Sequence, residues 1–308
     1  MAMALDGIHF LVTYRCTYAC DHCFVWSSPD CEETLTLAQL REAIDQAAAS
    51  GQVTTVYFEG GEPTLAYPVV LEAAAYAREK GLEWGLVSNC YWATSVEDAR
   101  VWLRPLKERG ISDLSLSSYA YFVEDADEER LRNAVLAARE LDMPMAVLEV
   151  GAPACIDVPG LCLGEVGEVM HKGRAAVKLA PARATRPPDT LVTCPFEDFA
   201  EPGRAHLGAG GELQVCQGIS AGNVWRDGLA TVIADYDPTA RPVVREILAG
   251  GPWALAQAYG HTPERDLYAD ECHLCYETRA ALRERFPEVL APAQCYGVDQ
   301  SGAEAPQP

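Results

Sequence analysis

The sequence predicts an α/β protein whose parallel sheet is covered by crossover helices, followed by a smaller region of different organisation. Three observations predict it. Over the first two-thirds of the 308 residues, β-rich runs alternate with stretches whose apolar residues recur at helical spacing, the pattern of repeated strand–helix units. After about Ala180 that pattern stops: Pro181–Pro188 (PARATRPP) carries three prolines and reads as a connector. Finally, 49% of the residues are hydrophobic, enough to bury a sizeable core and to exclude disorder over most of the length.

Ile8–Tyr14 is the first β-rich run and ends at the first cysteines. Leu37–Ala49 has helical spacing, Val53–Glu59 returns to strand, and Val69–Lys80 is helical. Leu82–Ser88 reads as a strand, Val96–Arg109 as a helix and Ile111–Ser117 as a strand. Glu128–Leu141 is a helix and Met145–Val150 a strand. A weaker helix is expected at Leu163–His171 and a sixth strand at Ala175–Leu179. Glu124–Arg130 (EDADEER) is a charged helix start with acids near the N-terminus. Beyond the connector come short strand-like pieces and turns (Gly208–Gly211, Gly218–Gly222), with helices at Pro242–Leu248, Pro252–Tyr259 and Glu277–Phe286. The tail Ser301–Pro308 has a disordered composition. The expected organisation is a first domain over 1–185, a second over 186–300, and the tail over 301–308.

A formal charge of −21 argues against a nucleic-acid partner, which needs clustered Lys and Arg, and would repel an anionic membrane. The N-terminus has no basic region or long apolar run, so no signal peptide is expected. No apolar stretch is long enough to span a bilayer. A soluble, cytoplasmic protein is expected. In that reducing setting twelve cysteines point to metal rather than to disulfides.

Cys16, Cys20 and Cys23 supply three thiolates in a C-x3-C-x2-C run directly after a strand. A closed zinc site usually wants four ligands. Three thiolates on a cubane cluster leave one iron open, and such clusters are normally held by cysteine. A zinc knuckle using His22 as fourth ligand, or unligated cysteines, are the plainer alternatives. About forty residues on, Gly60-Gly61-Glu62-Pro63 follows the second strand.

This spacing and the GGEP run resemble the radical S-adenosylmethionine (SAM) superfamily. The resemblance implies a (β/α)6 partial TIM barrel over roughly residues 5–180, with chemistry at the C-terminal strand ends. It implies a [4Fe–4S] cluster on Cys16, Cys20 and Cys23, whose open iron chelates the amino and carboxylate groups of SAM. One electron then cleaves the sulfonium C–S bond, and the 5′-deoxyadenosyl radical abstracts hydrogen from a substrate. The glycines would let the backbone approach the cofactor, and the Glu62 carboxylate with nearby carbonyls would bind the methionine ammonium. His22 stands where the family packs a residue near adenine. Ser88 and Asn89 end the third strand, and Ser115 and Ser117 the fourth, where ribose or carboxylate contacts are expected. Tyr121, Glu149 and Arg174 are weaker pocket candidates. A reducing electron donor of flavodoxin or ferredoxin type is implied.

Cys194, then Cys216 in a G-x4-C spacing from Gly211, then Cys272-His-Leu-Cys275 form a second set of four. On chemistry alone, four-cysteine zinc fits as well as iron–sulfur. Within the resemblance, this order is similar to the twitch domain, the short form of the SPASM domain, which holds one auxiliary [4Fe–4S] cluster. The further cysteines of a full SPASM pattern are missing, and Cys295 reads as a free thiol.

Cys31, Cys90, Cys155 and Cys162 lack metal spacing and read as buried thiols. Tyr91-Trp92 and Tyr119, Tyr121 and Phe122 could line a pocket or simply pack. The segment His171–Ala175 resembles a GRA element of SPASM-type enzymes; a carboxylate-binding Arg174 is weighed there against a solvated surface pair. Two enzyme readings follow. One is oxidation of a small molecule, such as an aminocyclitol or sugar alcohol, with the auxiliary cluster as electron acceptor. The other is a peptide-modifying maturase forming crosslinks or epimers; fifteen residues before Cys16 leave no room for a leader-recognition domain, which counts against it. A non-catalytic iron–sulfur or zinc protein is the third, disfavoured by GGEP.

Overall fold

The computed structural model describes residues 3–118, 128–151 and 167–298. The chain divides into two compact units. One comprises residues 7–19 and 27–169; the other comprises 1–6, 20–26 and 170–308.

The first unit is a singly wound parallel sheet. Its strands are β1 (Leu5–Thr13, whose first two residues fall in the other unit), β2 (Thr55–Gly60), β3 (Glu83–Ser88), β4 (Asp113–Ser117) and β5 (Met145–Leu148). They lie side by side in chain order, each parallel to the next. Helices α1 (Leu37–Ser50), α2 (Tyr67–Glu79), α3 (Val96–Glu108) and α4 (Glu128–Glu140) make the crossovers. Consecutive parallel strands joined by helices are the arrangement of a barrel wall, with all C-terminal strand ends at one rim. This is the α/β, partial-TIM-barrel class the sequence predicts.

Local sequence explains each element. Thr36 and Gln39 form a capping box at the start of α1, and its buried residues Leu40, Ala43, Ile44 and Ala47 make one helical stripe. Val70, Ala73, Ala74 and Ala77 do the same for α2, small enough to let the helix lie close to the sheet. Ser95 caps α3, with Glu97 and Asp98 in its first turn. Period-2 alternation then sorts the strands into two faces. Ile8, Phe10, Val56, Phe58, Trp84 and Leu86 are fully buried. Phe58 packs on Phe10 at 5.7 Å and on Trp84 at 6.1 Å between ring centroids. The other face carries His9, Tyr57, Glu59, Asp113, Ser115 and Ser117, of which all but Ser115 are only half-buried.

The sixth repeat departs from expectation. Ala175–Leu179, expected as a strand, is instead covered by helix α5 (Arg174–Lys178). A short apolar run cannot be assigned by periodicity, and its alanines favour helix. The expected helix at 163–171 lies partly outside the described residues, and its described part is not helical. Within it, Gly167 makes a parallel bridge to Val150.

The second unit contains the antiparallel strands β6 (Gly203–Leu207), β7 (Glu212–Cys216) and β8 (Ile219–Asn223). Short helices α6 (Val224–Asp227) and α7 (Leu229–Asp235) follow, then α8 (Val244–Tyr259), broken at Gly250-Gly251, and α9 (Glu271–Leu282). Most of Gly218–Gly222, in the stretch expected as short strand-like pieces and turns, is strand β8. The two helices expected over 242–259 are the two halves of α8. The last expected helix begins six residues earlier than Glu277, at Glu271, because Asp270 caps it. Cys272 and Cys275 are therefore in the first turns of α9. Leu191, Tyr268 and Leu274 pack with Trp253 beneath that helix.

Candidate cofactor and metal sites

The first site grows from the rim of the parallel sheet. After β1 the chain turns outward, and the Cys16 amide donates to the Ser28 carbonyl at 3.0 Å. After β2, the Gly61 amide donates to the Thr13 carbonyl at 2.6 Å and the Glu62 amide to the Arg15 carbonyl at 2.9 Å. A Cβ on Gly61 would stand 2.2 Å from the Arg15 oxygen. The glycine is required because chain passes against chain, which fixes the GGEP turn beside the residue preceding Cys16.

Glu62 is completely buried. Its Oε1 accepts from the Thr64 amide (3.1 Å), the Thr64 hydroxyl (2.6 Å) and the Ser88 hydroxyl (3.0 Å), and its Oε2 from the Asn89 amide (2.8 Å). Burial pushes its carboxyl above the usual range, against the pull of these bonds. The carboxylate thus ties GGEP to the end of β3. Asn89 completes the link: its Nδ2 donates to Cys16 Sγ at 3.4 Å and to Thr17 Oγ1 at 3.0 Å. Pro63 and Thr64 are buried in the turn that follows. Ser88 also receives the Trp92 indole N–H at 2.9 Å. The Ser115 hydroxyl donates to Asp113 at 2.9 Å, and Ser117 ends β4 on the half-buried polar face.

Cys20, His22 and Cys23 lie in a segment assigned to the other unit. The Cys23 amide donates to the Cys20 carbonyl at 3.1 Å, closing a turn with His22 inside it. Arg174 holds that turn. Its Nη1 donates to the Cys20 carbonyl at 2.7 Å, its amide to the Cys23 carbonyl at 2.9 Å, and its guanidinium lies 5.3 Å from the Trp26 ring centroid. Gly173, at φ +60°, passes so close that a Cβ would sit 2.4 Å from Phe24 Cα. Lys172 and Arg174 are 2% and 1% exposed, which overturns their reading as a solvated surface pair. Sequence reasoning missed this anchoring role. The glycine between the two cations was the available signal.

The second set also converges. Cys194, Cys216, Cys272 and Cys275 line one cavity, together with Lys172, Glu197 and Arg279 among others. Cys194 comes from the loop before β6, Cys216 from the end of β7, and Cys272 and Cys275 from successive turns of one α9 face. Among the described residues, no three of these sulfurs fall within 4.8 Å of one another. Burial raises the thiol of Cys272 well above its usual value and that of Cys275 to about 11, opposed by Lys172 and Arg279 respectively. Lys172 Nζ is 3.6 Å from Cys216 Sγ and 3.4 Å from Glu197 Oε1.

Cys295 is buried, its thiol donating to Gln214 Oε1 at 3.2 Å, and is not among the residues lining the cavity. Cys90 is buried at φ +61°, its thiol against the Ser88 carbonyl. Cys31 meets Ser28 Oγ at 3.5 Å. Trp92 and Tyr91 pack on Trp102 at 5.9 and 6.3 Å, and Glu149 is buried beside the Gly167 bridge. Tyr119, Tyr121, Phe122, Cys155, Cys162 and the 301–308 tail lie outside the described residues. No helix among the described residues is long and apolar enough to cross a membrane.

Comparison with known proteins places the first unit. YydG of Bacillus subtilis (strain 168), named for peptide biosynthesis, is 23% identical over 126 residues, 41% of this chain and 40% of that protein. The S-adenosylmethionine-dependent nucleotide dehydratase of Selenomonas ruminantium is 33% identical over 82 residues, 27% of this chain and 29% of its own length. The alignment thus spans well under half of either relative. The crystal structure of BtrN in complex with AdoMet and 2-DOIA matches with a TM-score of 0.50 at 14% identity, covering 76% of this chain and 84% of that one, a likeness of fold. The family model described as the radical SAM superfamily matches residues 10–148, which run from β1 through β5. Residues 10–148 are thus a radical SAM domain, which makes up under half of the chain.

Proposed function

We propose that this protein is a radical SAM enzyme that uses two [4Fe–4S] clusters to oxidise a small molecule. Cys16, Cys20 and Cys23 would hold the first cluster. Cys194, Cys216, Cys272 and Cys275 would hold the second, in a twitch-like domain over residues 186–300. When bound, the first cluster with SAM supplies a hydrogen-abstracting radical, and the second can take up the electron that the substrate radical gives back.

The observation that carries the reading is the convergence of all four later cysteines on one cavity. Zinc bonds of about 2.3 Å in a tetrahedron bring sulfurs to about 3.8 Å from one another. Among the described residues no three of these sulfurs come within 4.8 Å of one another, so they do not form that tetrahedron. The first site fits its cofactor through its framework. Asn89 donates toward Cys16 Sγ, and Glu62 braces Gly60, Gly61 and Pro63 against the end of β3. With the Glu62 carboxylate taken up by four protein donors, the backbone carbonyls of the turn are left for the methionine ammonium. Ser117, on the polar sheet face, remains a candidate for ribose contact, as does His22 for adenine. Ser115 and Ser88 serve by holding Asp113 and Glu62.

Anaerobic loading with iron and sulfide should give about eight irons per chain. Adding dithionite and SAM should release 5′-deoxyadenosine. About one zinc per chain and no nucleoside product would overturn the proposal. The similarity to YydG supports a second reading, modification of a peptide. A mass change in a short peptide encoded beside this gene, after incubation with the loaded enzyme, would favour it.

A further inference from the structure

Two cations, Lys172 and Arg279, are sealed around the second cysteine set, and of the two only Lys172 is paired with an acid of the same cavity, Glu197. Arg279 is 1% exposed. Its hydrogen bonds go to the carbonyls of Cys275 (3.3 Å) and Gln217 (2.9 Å) and to the Tyr296 hydroxyl (3.4 Å), none of which carries charge. Lys172 is 2% exposed, with Nζ against Cys216 Sγ and Glu197. Glu197 is itself shared with Arg204 at 3.6 Å. Glu271, the other acid lining the cavity, is taken by Arg186 at 2.8 Å, so Lys172 and Arg279 are the two buried cations that face the four sulfurs. Burying unpaired cations is costly, so the site is built for an anion.

Four thiolates around a [4Fe–4S] core of charge +2 sum to −2, the complement of those cations. One-electron reduction of that group adds one negative charge, and Lys172 Nζ stands 3.6 Å from one of its sulfurs, Cys216 Sγ. We propose that Lys172, through its N–H···S contact with Cys216 and its fixed charge, raises the reduction potential of the second cluster, so that the cluster can serve as an electron acceptor. Glu197 works against it by sharing the ammonium. Lys172 is a positioning residue in this account; it touches the ligand sulfur and not the substrate. Its backbone lies two residues from Arg174, so one short segment fixes both the Cys20–Cys23 turn and the charge at the second set.

The inference rests on the two-cluster reading, and the test separates them. Replacing Cys16, Cys20 and Cys23 with alanine confines iron to the second set. Redox titration followed by electron paramagnetic resonance then reads that cluster alone, with dithionite as electron source. At an ambient potential equal to the parent's midpoint, Lys172→Met should lower the reduced-to-oxidised ratio about tenfold, which is 59 mV for a one-electron couple. Lys172→Arg should restore it to within about twofold. Glu197→Gln should move the ratio the other way. Should Lys172→Met fail to load iron, Glu197→Gln decides: an unchanged or lowered ratio overturns the proposal. A loaded Lys172→Met cluster with the parent's ratio also overturns it. Absence of an iron–sulfur signal in the lysine-containing parent refutes the two-cluster reading instead.

Discussion

Glu62 shows how a motif residue can work through the protein rather than on a ligand. From the sequence, its position in GGEP suggested a direct contact with the cofactor ammonium. The structure gives the carboxylate to Thr64, Ser88 and Asn89. That assignment was not legible, because it depends on a strand end twenty-six residues away. Glu62→Ala would strand several buried donors at once. It should lower the unfolding free energy by about 3 kcal/mol, measured by denaturant titration. Arg174 makes a second case. Its spacing beside glycine was visible, but not the carbonyls of Cys20 and Cys23 that it binds. Arg174→Met should loosen that turn, and iron per chain should fall from about eight to about four, with the second cluster retained.

At the scale of elements, periodicity located the strands and helices of the first unit because each has one consistent face. It failed at Ala175–Leu179, where a short alanine-containing run has no period to read. It also placed the start of α9 too late. Asp270 is the signal that was overlooked: its side chain accepts from the His273 amide at 2.8 Å and meets His171 Nδ1 at 2.9 Å. Although burial raises its carboxyl, these bonds hold it below the usual carboxylate range. Asp270→Ala should remove the cap and cost about 1–2 kcal/mol. Hydrogen exchange of the first amides of α9 should quicken accordingly, and iron should leave the second set faster under chelator. Asp270→Asn, which can still cap, should show less of both effects.

For the whole molecule, the cysteine spacings were the most legible feature of the sequence, and the cavity they line was not. Spacing proposes which thiols could share a metal; only the fold brings the loop before β6, the end of β7 and α9 to one place. The net charge is −21 over the whole chain, yet two buried cations, Lys172 and Arg279, face those sulfurs. That opposition separates two roles of charge: the exposed acids favour solubility, and the buried Lys172 and Arg279 favour an anionic metal group.

Iron counting with paired variants decides whether one chain carries two iron–sulfur clusters. After anaerobic loading, the unaltered protein should hold about eight irons per chain. About four should remain when Cys16, Cys20 and Cys23 are replaced by alanine, and about four when Cys194, Cys216, Cys272 and Cys275 are replaced. About four irons in the unaltered protein, with none left after the first replacement, would contradict two clusters per chain.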